Sequence, residues 1–229
     1  MIRLIVVGEG QTEESFIRDV LMPHLIDHGV YADPRLIRTS GQSKGGALNG
    51  DRVKRFLRNT LRESSETYVT TLFDLYGLDS SFPGLPTTTT GDPLARAEAV
   101  EAAFGNAVVA AAGCREDRFI PYIQPYEFEA YVFSDPQVLA SVDSGWQPFV
   151  EEMKQARAAV ESPEHVNDGP TSHPSARLQL LRPRYDKVLH GTRITAALGL
   201  SKIRDECKHF DAWLARLEAL PPLAQVDQE

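Results

Sequence analysis

Hydrophobic positions divide the chain into short apolar runs and helical stripes that alternate through its first half. Ile2-Arg3-Leu4-Ile5-Val6-Val7 is apolar except for Arg3 and rich in β-branched residues, the pattern of a strand covered on both faces. Gly8-Glu9-Gly10 ends it. Phe16, Ile17, Val20, Leu21 and Leu25 then share one face of a helix that stops at His28-Gly29, with glycine in the position that closes a helix. Pro34 to Thr39 predicts a weaker strand, and a loop with Gly41, Gly45, Gly46 and Gly50 follows. Val53, Phe56, Leu57 and Leu61 predict a helix starting near Asp51. Tyr68-Val69-Thr70-Thr71-Leu72-Phe73 predicts a strand that ends in Asp74.

Leu75 to Gly91 has no packing pattern, including its Thr87–Thr90 run. Asp92-Pro93 opens the next helix as cap and first turn. Phe119 to Ile123 predicts another strand, short or at an edge because Pro121 cannot donate to a ladder. Strands joined by helical crossovers give a parallel sheet with right-handed connections, so residues 1–135 are expected to form an α/β domain. Residues 136–229 are expected to be a helical appendage. In it, Trp146 to Val160 reads as a helix, a polar loop follows to Pro174, and helical pieces broken by Pro183, Gly191 and Gly199 run to Leu220. The tail from Pro221 is expected to fray.

Composition narrows the class. Of 229 residues, 42% are hydrophobic and 24% charged, which is ordinary for a folded globular chain. No apolar run approaches the roughly 20 residues of a membrane helix, and the first residues lack a signal-peptide core and cleavage site. Two cysteines, Cys114 and Cys207, provide neither a disulfide framework nor a Cys-rich zinc site. These features predict a cytoplasmic, reduced protein without a membrane partner. The formal charge of −8, from 24 Lys+Arg and 32 Asp+Glu, speaks against a generic nucleic-acid coat.

The acids are unevenly placed. In an open parallel sheet, ligands collect at the carboxyl ends of the strands. Glu9 follows the first strand and Asp74 ends the third. Glu127 and Glu129 follow the last, Glu13 lies one turn from Glu9, and Asp79 lies five residues past Asp74. Carboxylates converging on one cleft repel one another unless a cation neutralises them. Oxygen ligands of this kind suit Mg²⁺ or Mn²⁺, which can activate water and stabilise a leaving oxygen in phosphodiester cleavage. Each acid also has a plain structural reading: Glu13 and Glu14 favour a helix N-terminus, and Glu127 can cap a helix.

Val6-Val7-Gly8-Glu9-Gly10-Gln11-Thr12-Glu13-Glu14 resembles the first motif of Toprim domains, especially the Glu-Gly-x-Thr-Glu variant of OLD-type nucleases. A resemblance to an uncharacterised bacterial family of Toprim-like proteins covers nearly the whole chain. It includes Phe73-Asp74-Leu75-Tyr76-Gly77-Leu78-Asp79, the stretch from Ile123 to Ala130, and Pro174 to Leu214. The resemblance implies a Toprim-like, Rossmann-like sheet and a metal-dependent nuclease. Glu9 would be the acid/base or metal-binding glutamate, Glu13 a further ligand, and Asp74 the first acid of the second motif. Toprim proteins usually carry Asp-x-Asp there, whereas Tyr76 occupies the third position here. Asp79 or Glu127 would have to supply the missing ligand. Kinship with OLD-type proteins further implies an ABC-type ATPase partner and a place in phage defence.

Basic residues offer a second feature. Arg52, Lys54, Arg55, Arg58 and Arg62 lie opposite the apolar face of their helix and could follow a phosphate backbone. The same face could equally be a solvated surface or dock an acidic partner. Gly41-Gln42-Ser43-Lys44-Gly45-Gly46 does not have the order of a nucleotide-binding P-loop, but Lys44 could touch a phosphate, and Lys187, Arg177, Arg193 and Lys202 could line the cleft. The histidines His24, His28, His165, His173, His190 and His209 form no His-x-His or His-Glu-x-x-His motif and read as surface or helix-end residues. Thr192 to Leu214 resembles a helix-turn-helix, although Ile203, Cys207, Phe210 and Leu214 have core spacing.

The reading is thus a Toprim-like, Mg²⁺- or Mn²⁺-dependent phosphodiester hydrolase acting on nucleic acid, DNA or RNA. Two alternatives stay open: a non-catalytic Toprim-like subunit that binds nucleic acid or senses a partner, and a DNA-binding regulator using the C-terminal helices. A homo-oligomer is left open as well.

Overall fold

The computed structural model describes residues 1–37, 47–85, 91–166 and 173–223. The loop with Lys44, residues 38–40 and the Thr87–Thr90 run lie outside the described residues. Among the described residues, no helix is long and apolar enough to cross a membrane.

The fold is α/β: a parallel sheet flanked by helices. Strand β1 (Ile2–Gly8) pairs with β2 (Val30–Leu36) on one side and β3 (Thr67–Asp74) on the other. Two short strands, β4 (Phe119–Ile120) and β5 (Ile123–Gln124), continue the sheet beyond β3, giving the order β2-β1-β3-β4 with β5 also on β3. The chain visits β2 before crossing back over β1 to reach β3. The carboxyl ends of β1 and β3 therefore flank the point where the sheet changes its direction of growth, the place where such sheets open a crevice.

Pro121 divides the outer strand, as a missing N–H in a ladder requires. Thr71, buried in β3, repairs the gap: its hydroxyl accepts from Tyr122 N–H at 2.9 Å and donates to Tyr122 O at 3.0 Å. All eight residues of β3 are buried, as expected for the central strand of a sheet covered on both faces.

On one face pack α3 (Gly50–Glu63) and α4 (Pro93–Ala112). Val53, Leu57, Val100 and Phe104 meet Ile5, Val7, Val69 and Phe73 there. Asn49 caps α3 by accepting from Arg52 N–H, and Asp92 caps α4 by accepting from Leu94 and Ala95 N–H. The opposite face takes α1 (Gln11–Phe16), which passes through a π-helical turn, Ile17–Leu21, into α2 (Met22–Asp27). Gly29, at φ 76°, turns the chain out of this helix in the left-handed conformation that glycine adopts without a Cβ clash.

The second half of the chain covers this same face. It comprises a 3₁₀ segment Phe128–Ser134, α5 (Pro136–Val142), α6 (Val150–Ala158), α7 (Pro174–Leu181), α8 (Thr192–Glu206) and α9 (Lys208–Glu218). Tyr131, Phe210 and Trp213 join Leu4, Val6 and Phe16 in one hydrophobic cluster, so the core is continuous across Asp135. Ile203, Cys207, Phe210 and Leu214 are all fully buried, which matches their spacing.

Several local expectations change. The second strand begins at Val30, earlier than Pro34, because pairing with β1 outweighs the poor strand propensity of Asp33-Pro34. The helix expected from Trp146 starts only at Val150. Ser144–Phe149 is 3₁₀, with Pro148 inside it. In the helix-turn-helix candidate, the turn is a kink within α8 at Gly199, where φ is 74°.

Candidate functional site

The site forms where β1 and β3 end. Glu9, just past β1, accepts a 2.6 Å hydrogen bond at Oε1 from Asp74 N–H, tying the two strand ends together. Two glycines make the approach possible. A Cβ on Gly77 would stand 2.7 Å from Glu9 Oε2, and one on Gly8 would stand 2.9 Å from Glu13 Cβ. Any larger residue at either position would displace the neighbouring glutamate.

Glu13 is buried on the first turn of α1, where its Oε2 accepts from Gly10 N–H at 2.9 Å. This is the backward half of a capping box, so its helix-terminal role is realised while it lies beside Glu9. Asp74 is held at both oxygens: Oδ1 accepts from Phe128 N–H at 2.8 Å, and Oδ2 is 3.2 Å from Lys187 Nζ. The chain reaches Phe128 through Tyr126, whose φ of 62° is unusual for a residue with a side chain. Tyr126 O accepts from Tyr76 N–H at 3.2 Å, and the two rings lie 5.5 Å apart.

Two residues complete the cluster. Glu129 is fully buried, with Oε2 3.1 Å from Lys187 Nζ and, among the described residues, with no hydrogen-bond partner at Oε1. Lys187, from a π-helical turn Lys187–Gly191 ahead of α8, therefore bridges Asp74 and Glu129. Expected to contact nucleic acid, Lys187 here serves as the cation of the acid cluster. Glu129 is one of the acids at strand ends but lies outside the expected ligand set. Its position two residues past Glu127, in an apolar run, was the available signal.

Electrostatics follow from this crowding. Burial, then the charges of Asp74 and Glu13, hold the Glu9 carboxyl well above its ordinary pKa, against the bond from Asp74 N–H. Burial pushes Asp74 up to about 7, with Lys187 opposing and Glu13 adding. Burial likewise pushes Glu129 up to about 8, again against Lys187. For Lys187, burial acts downward, but Asp74 and Glu129 raise its pKa well above normal, so it stays charged.

The remaining expected ligands are held in other bonds, although the charge of Glu127 still reaches Asp74, Glu129 and Lys187. Asp79 accepts from the Ser81 hydroxyl, from Ser81 N–H at 2.9 Å and from Asn49 Nδ2 at 3.0 Å, and these bonds, the hydroxyl's above all, lower its pKa. It fastens the loop after β3 to the start of α3. Glu127 is engaged at both oxygens, by Ser175 N–H at 2.9 Å, Ser175 Oγ at 3.1 Å and His173 Nδ1 at 3.1 Å. It ties the start of α7 to the strand-end loop, which is the capping alternative. Of the five acids expected as ligands, Glu9, Glu13 and Asp74 come together. Asp79 and Glu127 are held in other bonds, and Glu129 stands in the cluster.

On α3, Arg52 and Arg55 are exposed. Lys54 pairs with Asp51 at 2.9 Å, Arg58 bonds Asn59, and Arg62 donates to Ala111 O and Ala112 O at the end of α4. Arg62, itself exposed, thus links the end of α3 to the end of α4. Near the C-terminus, Lys202 pairs with Glu206, and Arg204 pairs with Asp211 and Glu218.

The chain belongs to a family described as a domain of unknown function (DUF4276), whose model matches residues 8–218. No curated protein and no solved structure matches it.

Proposed function

We propose that this member of a family of unknown function is a Toprim-like, divalent-metal-dependent phosphodiester hydrolase acting on nucleic acid. One observation carries the reading: Glu9, Glu13, Asp74 and Glu129 meet at the switch point of a parallel sheet, with Lys187 among them. The resemblance of Gly8-Glu9-Gly10-Gln11-Thr12-Glu13 to the Toprim first motif supports it.

The residues suit a hard cation by chemistry. All the acidic donors are oxygens, and buried Glu129 Oε1 lacks a partner that a cation would supply. Lys187 already supplies positive charge between Asp74 and Glu129. Among the described residues, the group of three side chains already placed to hold a metal ion is elsewhere, and Lys187 occupies Asp74 and Glu129. Asp74, Glu129 and Glu9 or Glu13 would hold Mg²⁺ or Mn²⁺ once Lys187 gives way. Such an ion supplies activation of water and neutralisation of the leaving oxygen. Glu9, its pKa raised by burial and by Asp74 and Glu13, can hold a proton more readily than a free carboxylate and exchange it as a general acid or base. Lys187, displaced from the acids, would be free to pair with a phosphate. Arg52 and Arg55 would receive the polynucleotide backbone.

The test is cleavage of single- and double-stranded DNA and RNA with Mg²⁺ or Mn²⁺. Wild-type protein is expected to cleave one of them, and Asp74→Asn is expected not to. Equal cleavage by both would overturn the reading. The position of Lys187 favours a second reading, a non-catalytic subunit whose acids are permanently neutralised by the lysine. In that case calorimetry would detect no Mg²⁺ or Mn²⁺ binding that depends on Asp74. The ABC-type ATPase partner and the phage-defence role rest on the OLD-type resemblance. Co-expression with an ABC-type ATPase, followed by co-purification, tests the partnership.

A further inference from the structure

A second group of ligands lies outside this cluster. His24 in α2, His28 immediately after it, and Glu218 at the end of α9 each present a ligand atom within 4.8 Å of the others. We propose that these three residues form a transition-metal site, of the kind that takes Zn²⁺, which fastens α9 to the helix behind β1.

The spacing begins the argument. His24 and His28 are four residues apart, and the backbone keeps turning past Asp27, with His28 N–H bonded to Leu25 O and Gly29 N–H to Ile26 O. Both imidazoles therefore project from one side of the helix, with ring centroids 4.8 Å apart. The motifs His-x-His and His-Glu-x-x-His miss this pair because its second residue is Leu25 rather than glutamate. The carboxylate arrives instead from 194 positions further along the chain.

Hydrogen bonds orient the ligands. His28 Nδ1 is 3.1 Å from His24 O. A bond from a ring N–H to a carbonyl leaves Nε2 with the lone pair, as metal-binding histidines generally require. His24 Nε2 is 2.6 Å from Glu218 Oε1, and Arg204 donates to the same oxygen, so Glu218 is fixed from two sides while Oε2 makes no hydrogen bond among the described residues. Zn²⁺ ligands bound at about 2.0–2.2 Å stand roughly 3.3 Å from one another. Accepting an ion therefore takes a small parting of His24 and Glu218 and a modest approach of His28, which is exposed.

Two imidazoles and one carboxylate select Zn²⁺ or its first-row neighbours over Mg²⁺, which prefers oxygen alone. Three protein ligands at the surface leave a position for water. The role assigned is attachment: His24 and Glu218 come from opposite ends of the chain, and a metal would cross-link them.

Isothermal calorimetry with ZnCl₂ on the full chain, together with absorption spectra of the Co²⁺ form, tests the site. Wild-type protein is expected to bind one Zn²⁺ per chain with an increase in Tm. The His28→Ala variant keeps the His24–Glu218 bond and so should remain folded. It is expected to bind about tenfold more weakly or worse, since even outer-shell partners cost that much. Asp74→Asn is expected to leave Zn²⁺ affinity unchanged, which separates this site from the strand-end acids. Absence of Zn²⁺ binding, equal binding by His28→Ala, or loss of binding in Asp74→Asn would each overturn the proposal.

Discussion

Glu9 Oε1 accepts from the backbone N–H of Asp74 at 2.6 Å, so the carboxylate after the first strand is positioned by the end of the third. The bond is structural and uses one oxygen of the carboxylate, which separates two substitutions. Glu9→Gln keeps an acceptor and removes a repelled charge, whereas Glu9→Ala leaves Asp74 N–H without its partner. Glu9→Ala is expected to be less stable than Glu9→Gln by about 1–3 kcal/mol, measured by urea denaturation, and both should lack metal-dependent cleavage. Equal stability of the two would show that the bond contributes nothing.

Gly77 tests the same contact from the other side. A methyl group there would meet Glu9 Oε2 at 2.7 Å, and the end of a side chain yields more readily than backbone. Gly77→Ala is expected to fold, with a small loss in Tm, and to lose most of its Mg²⁺- or Mn²⁺-dependent cleavage. Wild-type activity in this variant would mean that Glu9 can leave its place without consequence.

Stability without metal should depend on pH in a definite direction. Asp74 and Glu129 titrate at about 7 and about 8 in the fold, above the ~4 expected of unfolded carboxylates. Between those values the native state holds more protons than the unfolded state, so stability falls as pH rises from about 4 to 8. Tm measured in EDTA is expected to decline across that range. Glu129→Gln, which cannot ionise, should flatten the decline, and an unchanged slope would exclude Glu129 as its source.

Lys187 is the charge a metal would replace. Lys187→Met leaves Asp74 and Glu129 unneutralised, so its Tm at pH 8 should drop in EDTA. Added Mn²⁺ is expected to raise its Tm more than that of wild-type protein. If Mn²⁺ raises neither, the acids do not take an ion.

Away from the site, Arg118 is 6% exposed and donates to the carbonyls of Leu61, Ser64 and Thr67, closing the end of α3. Arg118→Met would strand these carbonyls and is expected to cost about 2–4 kcal/mol. Chemical denaturation would read this, and a loss below about 0.5 kcal/mol would mean that water satisfies them.

Much of the fold was legible because its signals are local. The run from Ile2 to Val7, the cap Asp92, and the stripe Ile203, Cys207, Phe210 and Leu214 each depend on a few neighbouring residues. Errors arose where distant pairing overrode local preference, as at Asp33-Pro34 in β2. The candidate site divides the same way. Glu9 and Asp74 follow strands and could be found from pattern alone. Choosing among Asp79, Glu127 and Glu129 required knowing that Ser81 and Asn49 hold the first, and that Ser175 and His173 hold the second.

The sequence by itself determined most of the strands and helices and which acids stand at strand ends, since periodicity, β-branching and turn residues act over a few positions. Tertiary structure alone decided that Lys187 would reach Asp74 across 113 positions and that Glu218 would reach His24 across 194. Which charges meet depends on how the second half of the chain packs onto the face shared by Leu4, Phe16 and Phe210. Hydrophobic burial drives that packing without regard to direction, so no local motif records the pairs it brings together.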